Sequence, residues 1–152
     1  MRMNTYSTLV IILALLGLAD AAYLTQVAYT GGSLACSIEG LSGCNVVAQS
    51  AYSKVFGIPL ALYGVVFYVS FLLVFLLSRI RPHHRLFLIV TLMGLLGVLF
   101  STYFLYVQVV LIKALCIYCI VSAIVTYILG ILTYQRYRMN KKVTIVTVRH
   151  ET

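Results

Sequence analysis

The chain has 152 residues, of which 62% are hydrophobic and only 9% are charged. Soluble domains carry about 25% charged residues, so this composition excludes an ordinary soluble globule and predicts an integral membrane protein. The net charge of +8 does not indicate a nucleic-acid-binding protein, because the basic residues are not interleaved with a soluble fold.

Four apolar segments follow one another along the chain, and each supplies the roughly 20 residues that a helix needs to cross a bilayer. We expect these helices at about residues 6–28, 59–78, 86–112 and 113–134. Backbone polar groups in lipid must be satisfied within the segment, and the alternation typical of a barrel is absent. The sequence therefore predicts an all-α integral membrane protein, a single four-transmembrane-helix bundle over residues 1–152.

The basic residues indicate the orientation of the bundle. Nine of the eleven Lys and Arg residues precede the first segment, separate the second from the third or follow the fourth, whereas Lys54 and Lys113 lie on the other side. Because positive loops stay in the cytoplasm, we expect a multi-pass protein of the cell membrane with both termini and a tail at 135–152 inside. A loop at 29–58 is expected outside.

The first segment has an alternative interpretation as a cleaved signal peptide. The tripeptide Ala19–Ala21 resembles a signal-peptidase site. The apolar stretch continues through "AYLTQVAY" to full spanning length, however, and this favours a membrane helix.

The expected outer loop has two parts of different character. "TGGSLACSIEGLSGC" is rich in Gly and Ser and predicts irregular structure. "NVVAQSAYSKVFG" places apolar residues from Val46 to Phe56 at helical spacing, which predicts a short amphipathic helix over the mouth of the bundle. Gly57 and Pro59 are expected to end it, and Pro59 suits the first turn of the second transmembrane helix.

All four cysteines fall on the outer side, where disulfides persist. Cys36 and Cys44 enclose seven residues, a segment short and flexible enough to close into a disulfide. Cys116 and Cys119 begin the fourth helix, where unpaired N–H groups and the helix dipole stabilise a thiolate. Since disulfides exchange through mixed-disulfide intermediates, one pair that reaches the other forms an electron relay.

Two other interpretations of the cysteines stay open. They are inert structural bridges in a non-enzymatic membrane subunit, although a Cys-x-x-Cys within one helix is a poor structural staple. Alternatively, the four thiols hold a metal ion, an arrangement that the mobile loop and the membrane-edge position disfavour. We predict no metal site.

A family resemblance rests on "CSIEGLSGC", Ser50, "VFGIPLALYG" and "CIYC", which occur in this order between the predicted helices. Together they resemble the vitamin K epoxide reductase family, and most closely its prokaryotic branch, the quinone-linked catalysts of disulfide formation. The resemblance covers residues 19–123. It implies a four-helix bundle around a quinone such as menaquinone or ubiquinone, and a membrane thiol–quinone oxidoreductase that drives disulfide formation.

The same resemblance implies a role for each site residue. Cys36 would exchange with the cysteine of an extracytoplasmic thioredoxin-like partner. Cys44 would pass electrons inward through a transient disulfide with Cys116. Cys119 would be the thiolate that meets the quinone, and Ser50 would help to hold the quinone or its oxygen.

Two departures bear on the reaction. Some family members place a tyrosine four residues after the second cysteine of the late pair, where this chain has Ala123. Their asparagine near the start of the second helix has no match in "GIPLALYG". Quinone reduction is therefore the implied reaction, and reduction of a quinone epoxide by the same cysteines is the alternative.

Asp20 is an acidic residue within the first predicted membrane helix. Intramembrane acids are functional candidates, so Asp20 is expected either to relay protons to a reduced quinone or to hydrogen-bond a Ser, Thr or Tyr across the bundle. Gly94 and Gly97 are expected to permit close helix packing.

Overall fold

The chain forms a bundle of long helices. The computed structural model describes residues 5–34, 36, 43–81 and 83–150, with side chains as far as Met139. Within these residues four helices are long and apolar enough to cross a membrane, which confirms the predicted fold class. In chain order the helices are α1 (Thr5–Thr30), the short α2 (Cys44–Gln49), α3 (Leu60–Ile80), α4 (His84–Tyr106) and α5 (Ile117–His150).

The helices pack around a core of small and aromatic side chains. Helix α1 contacts α3 and α5, and α4 contacts the same two helices. The buried residues of α1 recur every three or four positions, as expected for one face of a helix: Ser7, Val10, Ala14, Gly17 and Ala21. They pack with aromatic residues of α3 and with Leu129 of α5.

Small residues bring α4 and α5 together, as the sequence predicted for Gly94. A Cβ atom added at Gly94 would lie 3.2 Å from the Cα of Gly130. The two backbones are therefore almost in contact. Association in lipid relies on such van der Waals packing, because the surrounding chains are as apolar as the helices.

The segment between α2 and α3 is less helical than predicted. A 3-10 turn at Ala51–Ser53 leads into a hairpin of β1 (Lys54–Val55) and β2 (Ile58–Pro59), which are antiparallel. The two turn residues, Phe56 and Gly57, both have positive φ, at 53° and 79°. Two-residue hairpin turns of this kind match the twist of the strands. The predicted amphipathic helix ends at Gln49, because Ser50 turns to an extended conformation and bonds back to the preceding turn.

The bounds of the last two helices also differ from prediction. Helix α4 continues as a π-helical turn at Val107–Ile112, and Lys113 then adopts a left-handed conformation with φ 56°. That conformation ends the helix, so α5 begins at Ile117 rather than at 113. At its far end α5 runs to His150 instead of ending at 134. The sequence after position 134 contains Arg and Lys residues that favour a helix, and neither Gly nor Pro interrupts it.

Candidate functional site

The outer cysteine pair is closed. Cys36 and Cys44 form a disulfide with a Cα–Cα distance of 6.2 Å. Cys44 is fully buried at the first residue of α2, whereas Cys36 is half-buried. The loop between them lies mostly outside the described residues.

Asn45 clamps the base of this loop. The N–H of Leu34 donates a hydrogen bond to Asn45 Oδ1 at 2.8 Å, and Asn45 Nδ2 donates to the carbonyl oxygen of Leu34 at 3.3 Å. The clamp joins the chain before Cys36 to the helix that begins at Cys44. Sequence reasoning missed Asn45, although an Asn next to a helix-terminal cysteine is a signal of local side-chain bonding to the backbone.

The inner cysteine pair stands where α5 begins, as predicted. Cys116 immediately precedes the helix and is 1% exposed, and Cys119 lies in the first turn, partly buried. The backbone N–H of Cys116 donates a 3.0 Å hydrogen bond to Oε1 of Gln108. Gln108 is itself buried in the π-helical turn. It is a positioning residue that sequence reasoning missed, and its signal is a lone amide in an otherwise apolar run.

The environment favours a thiolate at Cys116. A hydrogen bond from the Cys119 thiol lowers the pKa of Cys116 to about 7. Hydrogen bonds from the backbone N–H groups of Cys119 and Tyr118 act in the same direction. Burial and the negative charge of Asp20 act to raise this pKa, but their effect is smaller. A pKa in this range makes a cysteine a reactive nucleophile at neutral pH. In this redox state Cys116 therefore has a substantial thiolate fraction at neutral pH, with the Cys119 thiol as its hydrogen-bond donor.

The two pairs share one buried cluster. Cys44, Cys116 and Leu34 form its centre, and Cys36 and Cys119 pack against it. This arrangement brings together the four cysteines that the sequence separates by some seventy residues.

Close backbone approach at Gly43 holds the two segments together. A Cβ added there would lie 2.8 Å from the Cβ of Ala114 and 2.9 Å from the backbone N of Leu115. A glycine before Cys44 is thus required for the outer loop to rest directly on the segment that carries Cys116.

A large cavity adjoins the cluster and opens among α1, α3, α4 and α5. Its volume is about 980 Å³, and its wall includes Cys44, Cys116, Cys119 and Ser50. Most of the remaining lining is apolar or aromatic. Small-molecule sites commonly have volumes of about 300–1,000 Å³ and apolar walls with a few polar groups. The residues present therefore fit the head group of a quinone and part of its apolar tail.

Ser50 lies in the cavity wall, but its hydroxyl is engaged locally. Ser50 Oγ donates a 2.7 Å hydrogen bond to the carbonyl oxygen of Val47. The only hydroxyl proton of Ser50 is thus donated to the backbone of α2. Ser50 can donate to a ligand oxygen only if its side chain rotates away from Val47.

A second group of hydroxyls lies deeper in the cavity wall. The hydroxyl of Tyr68, on α3, is 3.0 Å from Ser122 Oγ and 2.9 Å from Thr126 Oγ1. Sequence reasoning missed this contact. Ala123, next to Ser122, also lines the cavity and leaves space where some members of the resembled family carry a tyrosine.

Asp20 enters the same cavity from α1. Its Oδ2 atom is buried and has no hydrogen-bond partner in the described part of the chain. Over those same residues, no group of three or more His, Cys, Asp or Glu is placed to hold a metal ion.

Comparison with known proteins identifies a family and a relative that this chain resembles. The model of the vitamin K epoxide reductase family matches residues 8–134. The Arabidopsis thaliana protein named thiol-disulfide oxidoreductase LTO1 is 35% identical over 133 residues, which cover 80% of this chain and 34% of that protein. The chain thus spans about a third of the length of this relative.

Proposed function

This chain belongs to the vitamin K epoxide reductase family, and on that basis we propose that it is a membrane thiol–quinone oxidoreductase. It takes electrons from a reduced thioredoxin-like protein outside the cytoplasm and delivers them to a membrane quinone, which drives disulfide formation. The observation that carries the proposal is the shared buried cluster of the two cysteine pairs, one closed as a disulfide and the other free as thiols, beside an apolar cavity.

Electrons enter at the outer pair. Cys36 is the more exposed of the two cysteines in the outer disulfide. The thiolate of the partner therefore attacks Cys36 and releases Cys44 as a thiolate. A second partner thiol then resolves the mixed disulfide, which leaves the partner oxidised and the outer pair reduced. Each exchange breaks one S–S bond and forms another.

The inner pair receives the electrons next. Cys44 attacks Cys116 of the oxidised inner pair, forms a transient Cys44–Cys116 disulfide and releases Cys119. Cys36 then attacks Cys44, which restores the outer disulfide and leaves Cys116 and Cys119 as thiols. The contact of Gly43 with Ala114 and Leu115 supports this exchange by holding Cys44 near the inner pair.

The final step regenerates the inner disulfide. A bound quinone supplies the chemistry of a two-electron, two-proton acceptor. Cys119 lines the cavity and would face this ligand, Ser50 would contact its polar head, and the aromatic side chains of Phe67, Phe100 and Phe104 would hold its apolar part.

The distribution of charge supports an outward-facing relay. Arg136 lies over the ring of Tyr6, 5.7 Å from its centroid, so the start of α1 and the basic part of α5 meet at one end of the bundle. The cysteines lie toward the other end, near Lys113. Positive residues remain in the cytoplasm, and we therefore assign both termini to the cytoplasmic side and the cysteines to the outer face.

The test is thiol-driven reduction of menaquinone and ubiquinone analogues by the purified protein in detergent. Cys119→Ala should abolish reduction, because the inner pair can no longer form a disulfide, and peptide mass mapping under non-reducing conditions should then find Cys36 and Cys44 as thiols. Val121→Ala, at an exposed position in the same turn of α5, serves as the matched control and should keep full activity.

Two results would contradict the proposal. A folded wild-type protein that reduces no quinone would favour structural disulfides in a non-enzymatic subunit. Turnover of a quinone epoxide, with no reduction of the parent quinone, would favour the epoxide reductase alternative.

A further inference from the structure

Asp20 has no part in the relay described above, yet it faces the same cavity as Cys116 and Cys119. Its Oδ2 atom is buried and accepts no hydrogen bond from any residue that the structure describes. Acidic side chains within a membrane are energetically costly and generally serve ion, proton or ligand pathways. The position of Asp20 in a ligand-sized cavity therefore requires a chemical explanation.

A structural role would need a donor for this oxygen, and two hydroxyls of the helices that carry the wall bond elsewhere. Thr25, on the same helix as Asp20 but not in the cavity wall, donates through Oγ1 to the carbonyl oxygen of Ala21 at 2.7 Å. The hydroxyl of Tyr68 bonds with Ser122 and Thr126 on α5. Asp20 Oδ2 is therefore available to bind a proton or to accept a hydrogen bond from a ligand in the cavity.

Asp20 is also coupled to Cys116 through its charge. A negative carboxylate at Asp20 acts to raise the pKa of Cys116, although the hydrogen bond from Cys119 outweighs it. Two adjacent negative charges in a site of low polarity are unfavourable, so the carboxylate and the thiolate compete for one proton. The other titratable or charged groups around this cavity include Tyr23, Tyr52, Lys54, Tyr63, Tyr68, Tyr118 and Cys119.

We infer that Asp20 holds the proton that Cys116 gives up on ionising, and releases it when the inner pair is oxidised. This inference rests on the proposed function. On oxidation the S–H bond of Cys119 breaks, the two sulfurs form an S–S bond, and two electrons leave for the quinone. One proton comes from Cys119 and the other from Asp20, so the quinol forms and Asp20 remains as a carboxylate.

The cycle closes when the outer pair reduces the inner disulfide again. That exchange brings two electrons and two protons. One proton stays on Cys119 and the other returns to Asp20, while Cys116 remains a thiolate. Asp20 thus keeps the second proton in the cavity that both reacting cysteines line.

The test uses Asp20→Asn, which removes the ionisable group at nearly constant shape, and Asp20→Glu, which restores it. Ser7→Ala is the matched control, because Ser7 lies on the same helix and is also a buried polar residue without a described partner, but it is not part of the cavity wall. Two quantities are measured in purified protein. One is the pH dependence of iodoacetamide alkylation of Cys116 without quinone, and the other is the pH profile of quinone reduction.

We expect Cys116 in the wild type to be alkylated with a midpoint near pH 7. Asp20→Asn should leave this midpoint near pH 7, because Asp20 is uncharged while Cys116 is a thiolate; a lowered midpoint would show that Asp20 is a carboxylate in that state and would contradict the inference. Asp20→Asn should also slow quinone reduction by about 100-fold, the lower end of the usual contribution of a proton-transfer group. Asp20→Glu should recover most of the rate, and Ser7→Ala should match the wild type in both measurements.

A folded Asp20→Asn protein with the wild-type rate would overturn the inference, whatever its alkylation midpoint. If Asp20→Asn does not fold, Asp20→Ser is measured in its place, and a wild-type rate of quinone reduction in that variant overturns the inference instead. Failure of the wild type to reduce any quinone would refute the proposed function. The alkylation midpoints would then still decide whether Asp20 and Cys116 share a proton.

Discussion

Replacing Gly43 with alanine should uncouple the two cysteine pairs without altering either one. The added Cβ would lie 2.8 Å from the Cβ of Ala114 and 2.9 Å from the N and O atoms of Leu115. Carbon atoms in good contact are about 3.5–4.0 Å apart. The two segments must therefore separate by roughly 0.7–1 Å, and they cannot simply rotate a side chain away, because Leu115 presents backbone atoms.

The consequence for the relay follows from the position of Cys44, the next residue. A misplacement of about 1 Å between reacting groups can cost roughly 100-fold in rate. We expect Gly43→Ala to slow transfer from the outer to the inner pair by about that factor. Overpacking should also cost about 1–3 kcal/mol of stability, which thermal unfolding in detergent measures.

The assay is rapid-quench alkylation followed by mass spectrometry, started by adding the reduced thioredoxin-like partner. It records the redox state of each pair over time, so a slow step between the pairs is distinguished from slow entry at Cys36. Gly32→Ala is the control, because a Cβ at Gly32 would meet its nearest neighbours at 3.6 and 3.9 Å, ordinary contact distances. A Gly43→Ala protein that transfers electrons at the wild-type rate would refute a direct exchange across this contact.

Three further predictions concern the supports of the cysteines. Gln108→Leu leaves the buried N–H of Cys116 without its acceptor, so unfolding should become easier by about 1–3 kcal/mol; an unchanged melting temperature would count against this role. The pKa of Cys116 is lowered to about 7, so alkylation of Cys116 should increase as the pH rises through 7. Cys119→Ala should move the midpoint of this increase toward the ordinary cysteine pKa of about 8.5. Identical midpoints in the two proteins would disprove the hydrogen bond between the Cys119 thiol and the Cys116 thiolate. Asn45→Ala removes two hydrogen bonds to Leu34, each worth about 1 kcal/mol, and should speed reduction of the outer disulfide by dithiothreitol; equal reduction rates would show that the clamp does not protect it.

The sequence was sufficient for the features that depend on local composition. Long apolar runs exclude a soluble fold and predict membrane helices because lipid offers the backbone no hydrogen-bond partners. The outer disulfide was also predictable, since Cys36 and Cys44 are only eight positions apart. The start of α5 near the inner pair followed from the change in composition, although Lys113 and the π-helical turn moved it to Ile117.

The helix ends that were mispredicted have separate causes. Charged residues mark the edge of the membrane, and the sequence interpretation took that edge as the end of the last helix. The hydrogen bonds of a helix do not require lipid, so α5 continues to His150. Conversely, the short helix after Cys44 ended early, because the hydroxyl of Ser50 competes with the helical backbone.

Only the tertiary structure decided which polar groups meet. The contact of Tyr68 with Ser122 and Thr126 joins residues more than fifty positions apart, and Asp20 and Cys116, nearly a hundred positions apart, line the same cavity. Local periodicity reports which residues share a helix face. The rotation and depth of each helix relative to its neighbours arise from packing of the whole bundle. Contacts such as that of Gly94 with Gly130 set the distance between neighbouring helices. The chemistry of this site therefore depends on interhelical register, which no single segment of the sequence encodes.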